Sequence, residues 1–233
     1  MLKNENENPT PEKAMIIFAH PDDAEGNCGG ITAKWAREGK VIYYLVLTNG
    51  DKGSWDLSMT SERLAPIRAR EQEEAAKVLG VSKVIFQRIP DGELEVSLPL
   101  RKEITRLIRL YQPSIILTHD PWKPYQTHPD HRATGFLALD AAVAARDHLY
   151  YPDQLARGLK PCRVKEIYLF GTESPDSWVD ISETIELKLQ AVGCHKSQGL
   201  ASQGVQERIR NRASEVGKAK GYIFGEAFKK IVM

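Results

Sequence analysis

A chain of 233 residues with 42% apolar and 27% charged residues has the composition of an ordinary folded protein, which excludes a disordered or fibrous class. Lys and Arg (32) nearly balance Asp and Glu (31), so no chain-wide pull toward nucleic acid or an anionic membrane is expected, and a small neutral or mixed-charge substrate stays open. No run approaches the roughly 18 apolar residues of a membrane span, the start MLKNENENPTPEKA has no signal-peptide core, and Cys28, Cys162 and Cys194 form no CxxC pair, which together read as a cytoplasmic protein with reduced thiols.

In chain order, residues 1–13 read as a disordered polar tail and residues 14–233 as a single domain. AMIIFA predicts a strand buried on both faces, GGITAKWAREGK a helix ended by Gly39, and VIYYLVLT the next strand, followed by the polar loop NGDKGSWDLSMT. SERLAPIRAREQEEAAKVLG predicts a helix with Ser61 as N-cap and Gly80 as stop. KVIFQRI is a third strand, and LPLRKEITRLIRLY is a helix with an apolar stripe at Ile104, Leu107, Ile108 and Tyr111. SIILTH is a fourth strand, DHRATGFLALDAAVAAR a helix, KEIYLFG a strand, SETIELKLQAVGCH a helix, and SQGVQERIRNRASEVGKAKG a polar helix. Strands alternating with helices imply an α/β fold, a Rossmann-like three-layer α/β/α sandwich with a mostly parallel sheet. Ligands in such folds gather beyond the carboxyl ends of the strands. HPDD, TNGDKGS, IPDGE and THDPWKPYQTHPDH all follow a predicted strand, so they should crowd one rim.

Two of these segments pair acids with imidazoles. HPDD (residues 20–23) spaces His20 three residues from Asp23, and HPDH (residues 128–131) spaces His128 three residues from His131. Two imidazoles and a carboxylate make a nitrogen and oxygen donor set that suits zinc, and catalytic zinc keeps three protein ligands and one open position. Residue types alone do not choose between Asp22 and Asp23. GNCGG is not GxGxxG, so a nicotinamide site has little support. Cys28 reads as a small buried residue beside glycines.

AHPDDAE followed by Gly29-Gly30, LTNGDKG, IRAREQEEAAKVLGV, HPDH and VDISETIELKLQAVGCHKSQ occur in this order. The ordered set resembles the LmbE-like, or PIG-L-like, zinc-dependent N-acetylglucosaminyl deacetylases over residues 16–198. The resemblance implies His20, Asp23 and His131 as zinc ligands, with ferrous iron suited to the same donors. It leaves Asp22 as general base and His128 as the group that stabilises the oxyanion, with either able to protonate the departing amine. Asp130 is expected to accept the ring N–H of His128, so that Asp130→Ala loses turnover while keeping zinc. Arg68 and Asp91 are expected substrate contacts, each with a plain alternative: a surface arginine paired with Glu71 or Glu74, and an Asp-Gly turn. Some relatives carry a tyrosine two residues before the second cluster. Gln126 holds that place here, and Tyr125, one position back, is the candidate substrate contact. His119 and Asp120 read as supporting or turn residues, and His195, Ser197 and Gln198 as site or packing groups. The implied reaction is removal of an N-acetyl group from an amino-sugar glycoside, with the aglycone met by residues 51–60 and 146–163, and homo-oligomers are implied as well. The alternatives are an amidase on another amino compound and a non-catalytic metal- or sugar-binding module.

Overall fold

The computed structural model describes residues 11–233. Most of the expected tail, residues 1–10, lies outside the described residues, and Lys13 already opens strand β1 (Lys13–Phe18). Strands β2 (Val41–Thr48), β3 (Lys83–Ile89), β4 (Ile115–His119) and β5 (Glu166–Phe170) run parallel to it. Strand β7 (Gly225–Val232) adds antiparallel to β5, and β6 (Ser177–Asp180) adds antiparallel to β7. The strand order is β3-β2-β1-β4-β5-β7-β6.

The central strands bury both faces, which is why they read as continuous apolar runs. On β1, Ala14, Ile16 and Phe18 face one core and Met15 and Ile17 the other. Helices α1 (Asp23–Arg37), α2 (Ser61–Leu79) and α6 (Ile185–Val192) cover the first face, with Ile31, Trp35, Leu79 and Ala191 buried there. Helices α3 (Leu98–Tyr111) and α4 (Pro129–Arg146) cover the second. The α3 stripe is buried at Ile104, Leu107 and Ile108, against the alanines of α4 at 138, 141, 142 and 145; filling these positions with Leu or Ile stabilises by about 1.5–3 kcal/mol each. The short α5 (Pro152–Ala156) and the polar α7 (Gln203–Lys218) complete the helices.

Three local outcomes differ from the sequence reading. Helix α1 starts at Asp23, six residues before the glycine pair, and bends at Cys28, where φ is −141°. The glycines serve close packing: a Cβ on Gly30 would lie 2.7 Å from Ile181. Helix α2 is capped by Thr60, while the Ser61 hydroxyl donates to the Asp51 carbonyl at 3.1 Å. Strands β6 and β7 and helix α5 were absent from the reading. A four-residue, partly exposed edge strand carries little periodicity, and Lys229 and Lys230 interrupt the apolar pattern of β7.

Candidate active site

The chain runs from β1 through α1 to β2 on one side, then returns through α3 to place β4 on the other side of β1. The carboxyl ends of β1 and β4 are therefore the switch point where such sheets open a crevice. His20, Asp22 and Asp23 follow β1, while His128, Asp130 and His131 follow β4. Asp22 turns the chain from strand to helix at φ 108°, a left-handed conformation that a residue with a Cβ adopts only when its surroundings compel it.

Residues 110 positions apart now meet. His20 Nδ1 lies 3.3 Å from Asp23 Oδ2 and 3.2 Å from His131 Nε2, and His131 Nε2 lies 3.3 Å from Asp23 Oδ1. Donors about 2.0–2.1 Å from a tetrahedral zinc are separated by about 3.3–3.4 Å, and the three residues form a triangle with edges of that length, Asp23 meeting His20 through Oδ2 and His131 through Oδ1. Two further imidazoles are close. His119 Nε2 is 3.3 Å from Asp23 Oδ2 and its ring stacks on His131 at 4.2 Å, while His128 stacks on the other face of the cluster, 4.7 Å from the His131 ring. Among the described residues three donor groupings are compact enough for a metal: His20, His128 and His131; Asp23, His119 and His131; His20, Asp91 and Asp130; the expected trio His20, Asp23 and His131 overlaps the first two and coincides with none.

The electrostatics demand positive charge. Burial alone would lower the His20 imidazolium, but Asp130, Asp23 and Asp91 outweigh it and push its pKa up to about 12. The Asp23 carboxyl is opposed by burial and held well below its ordinary value by His119 and His131. His128 is lowered by burial and by the neighbouring His20 and His131. Acids crowding imidazoles in this way are a chemical fit to a cation seated among them.

Asp130 does not serve His128. It is fully buried, with Oδ2 3.1 Å from His20 Nε2 and accepting from the Gly92 N–H at 2.7 Å, while Oδ1 accepts from the Leu94 N–H at 3.3 Å. As the second residue of α4 it points back toward β1, away from the ring of its own cluster. His128 instead faces Asp91 at 4.0 Å, and its Nδ1 is buried without a partner among the described residues. Asp91 Oδ1 joins Asp130 on His20 Nε2, also at 3.1 Å. Two carboxylates sharing that N–H hold the tautomer that leaves Nδ1 bare toward Asp23 and His131.

Arg68 is likewise placed otherwise than expected. It is buried and pairs with neither Glu71 nor Glu74; its guanidinium donates to the carbonyls of Gly50 and Pro21 and to Asp22 Oδ2 at 3.0 Å. Both terminal nitrogens make internal contacts and hold Asp22, while Nε has no partner among the described residues. The guanidinium passes so close to the loop after β2 that a Cβ on Gly53 would collide with Nη1, and one on Gly50 would sit 2.6 Å from it. Burial pushes the Asp22 carboxyl up to about 7 against the pull of Arg68.

A second support escaped the sequence reading. The Asp22 N–H donates to Gln72 Oε1 at 3.1 Å, Gln72 Nε2 donates to Glu25 Oε1 at 2.8 Å, and Glu25 Oε2 lies 3.3 Å from His195 Nε2. Gln72, Glu25 and His195 are all completely buried, and the chain they form ties the strained Asp22 backbone to α2 and to the turn that follows α6. Glu25, Gln72 and His195 each stood inside a quoted motif, but nothing in their spacing showed that they bond one another. Ser197 binds Glu71 through both its N–H and hydroxyl, and Gln198 donates to the Gly53 carbonyl at 2.9 Å.

Some expected residues are not brought in. Tyr125 is 97% exposed and makes no hydrogen bond to the cluster among the described residues. Residues 146–163 follow the far end of α4, where Cys162 bonds the Ala145 and Pro113 backbone, beside the start of β4. That segment sits at the opposite rim from the cluster and cannot meet an aglycone there. Asp120 forms a turn by accepting the Trp122 N–H at 3.0 Å. Burial pushes the Cys28 thiol far up, as suits a packing residue.

The sheet and its rim thus define an α/β protein with a mixed imidazole and carboxylate centre at the β1/β4 switch point. The chain belongs to the PIG-L family, whose GlcNAc-PI de-N-acetylase pattern matches residues 15–142. It is 36% identical to a diacetylchitobiose deacetylase of Thermococcus kodakarensis over 94% of this chain and 82% of that one. It superposes on the N,N'-diacetylchitobiose deacetylase of Pyrococcus horikoshii with a TM-score of 0.89 at 35% identity, covering 95% of this chain and 84% of that one. A 4-oxalmesaconate hydratase of Pseudomonas putida is 27% identical over 81% of this chain and 75% of its own.

Proposed function

We propose that the chain is a metal-dependent N-deacetylase that hydrolyses the acetamide of an N-acetylglucosamine-type glycoside, giving acetate and a free amine. The observation that carries this reading is the Asp22 carboxylate, clamped by Arg68 beside a triangle of three donors. His20, Asp23 and His131 would hold the ion, and zinc suits two imidazoles with one carboxylate, as ferrous iron also does. A divalent ion bound there polarises an amide carbonyl and lowers the pKa of a water to about 7.

The chain's own residues supply the rest. Arg68 engages Asp22 Oδ2, which leaves Oδ1 to accept a proton as general base. His128, two-fifths exposed on its side chain and held neutral by its neighbours, presents a ring N–H to the oxygen that gains charge. The departing amine takes its proton from Asp22 or His128, which face the same cleft. Asp91 spends one carboxylate oxygen on His20 and keeps the other for a sugar hydroxyl. Asp130 acts through His20 and is a positioning residue.

The hydratase relative raises a second chemistry, addition of water to an acidic unsaturated substrate. Such a substrate needs cations for its carboxylates, and Arg68 beside the cluster spends both terminal nitrogens on Asp22 and two carbonyls. The amide reading is therefore favoured. No helix among the described residues is long and apolar enough to cross a membrane, and the three cysteines are free, which supports a cytoplasmic location; assembly into homo-oligomers is carried by the family resemblance.

Acetate release from N-acetylglucosamine glycosides, before and after chelation and metal return, tests the reading. Activity lost to the chelator and restored by zinc or ferrous iron is expected. Reloaded protein that releases no acetate from any acetylated amine would leave only a metal- or sugar-binding module.

A further inference from the structure

A cavity of about 190 Å³ lies between α1, α6, α7, β7 and the turn after β5, and no member of the imidazole and carboxylate cluster lines it. Its lining holds an ion pair, Lys188 Nζ with Glu226 Oε1 at 2.6 Å, each residue only 4% exposed. An ammonium carries three N–H donors, and the bond to Glu226 is the one hydrogen bond that Lys188 Nζ makes among the described residues. Glu226 has little more to give: Oε1 also accepts from the Gly30 N–H at 2.9 Å, and Oε2 accepts from the Ile31 N–H at 2.8 Å. Donors left over on a charge buried this deeply cost free energy until an acceptor meets them.

Arg212 brings a second cation to the same cavity. Unlike Arg210 two residues earlier, which pairs with Glu186, it has no ion-pair partner among the described residues. Lys188, Arg212 and Glu226 are the charged members of the lining, two cations against one acid, so the walls favour a ligand with a single negative charge. The uncharged lining chooses its shape. Ile209, Ala213 and Val216 of α7 present hydrocarbon, against which a tetrahedral oxyanion, polar on every side, would lose hydrogen bonds to water without replacement. A carboxylate with a short alkyl tail has one polar end and one apolar end, as the cavity does. The volume, below the usual range of drug-sized sites, limits that tail to a few carbons.

We infer that this cavity is a binding site for a short-chain carboxylate, its head on Lys188 and Arg212 and its tail against Ile209, Ala213 and Val216. The site stands apart from the metal cluster and does not depend on the deacetylase reading. Calorimetric titration of the full, metal-loaded chain with butyrate is expected to show binding that Arg212→Gln weakens about 10-fold or more, the worth of a hydrogen bond to a charged group. Arg212 is exposed, so this variant keeps the fold. Val216→Phe, which fills the apolar end, should weaken butyrate as well. Acetate should bind about 10-fold more weakly than butyrate, because two methylenes are lost from the apolar end, and inorganic phosphate should bind more weakly than butyrate. Repeating the Arg212 comparison in a His131→Ala background separates the cavity from the metal centre, and the same loss there upholds the site. Equal butyrate binding with and without Arg212, no binding by wild type, phosphate binding tighter than butyrate, or an Arg212 effect that vanishes with His131 would each overturn it.

Discussion

Asp130 Oδ2 stands 3.1 Å from Nε2 of His20, a residue 110 positions earlier, and thereby couples the second cluster's helix to the first cluster's imidazole. Substituting Asp130 is accordingly expected to weaken metal binding and turnover together, about 10–100-fold, in place of the loss of turnover alone that a contact with His128 would give. Asp130→Asn, measured for zinc affinity by competition with a chromophoric chelator, separates the two: unchanged affinity with lost turnover would restore the His128 assignment. Asp130→Ala should also destabilise the fold by about 1–3 kcal/mol through the Leu94 N–H that it leaves buried without a partner.

The contact of Gly53 with Arg68 makes a small residue a determinant of chemistry. Gly53→Ala is expected to displace the guanidinium and lower kcat at least 10-fold while metal content stays full, because Asp22 loses its clamp and the three donors do not. Arg68→Lys should fall similarly, since one ammonium cannot reach two carbonyls and a carboxylate in the fork geometry. A Gly53→Ala protein with wild-type kcat would show that the clamp is dispensable.

Removing any corner of the donor triangle should have the same signature. His20→Ala, Asp23→Ala and His131→Ala are each expected to abolish stoichiometric zinc binding and the thermal stabilisation that zinc confers. For wild type that stabilisation is about 2.7 kcal/mol when free zinc is 100 times its Kd. Retention of the metal-induced shift in Tm by His131→Ala, with loss in His119→Ala, would move the site to the neighbouring imidazole.

His195 offers a pH test away from the cluster. Burial lowers its imidazolium, Glu25 outweighs burial, and the folded-state value ends above the ordinary one. A raised folded-state pKa contributes stability that is present in full below the unfolded value of about 6.5 and is lost as pH rises through the folded value. Urea titrations of wild type and His195→Gln should therefore differ more at pH 5.5 than at pH 9. An equal difference at both would mean that the pair is held by packing and not by charge.

The sequence by itself determined the alternation of elements, the sheet type and the two clusters. Buried parallel strands must be apolar on both faces, and acids beside imidazoles at a strand end are conspicuous against them. His20, Asp23 and His131 were legible through the ordered motifs, because local spacing brings His20 and Asp23 together and the motif order supplies His131. Tertiary structure alone decided who supports whom. Arg68, Gln72, Glu25 and Asp130 act on partners between 46 and 170 residues away, and a helix residue's direction in space depends on how the helix seats on the sheet. The same rule sent residues 146–163 to the far rim. An α4 of 18 residues rising about 1.5 Å per residue carries the chain about 27 Å from the cluster at which it began.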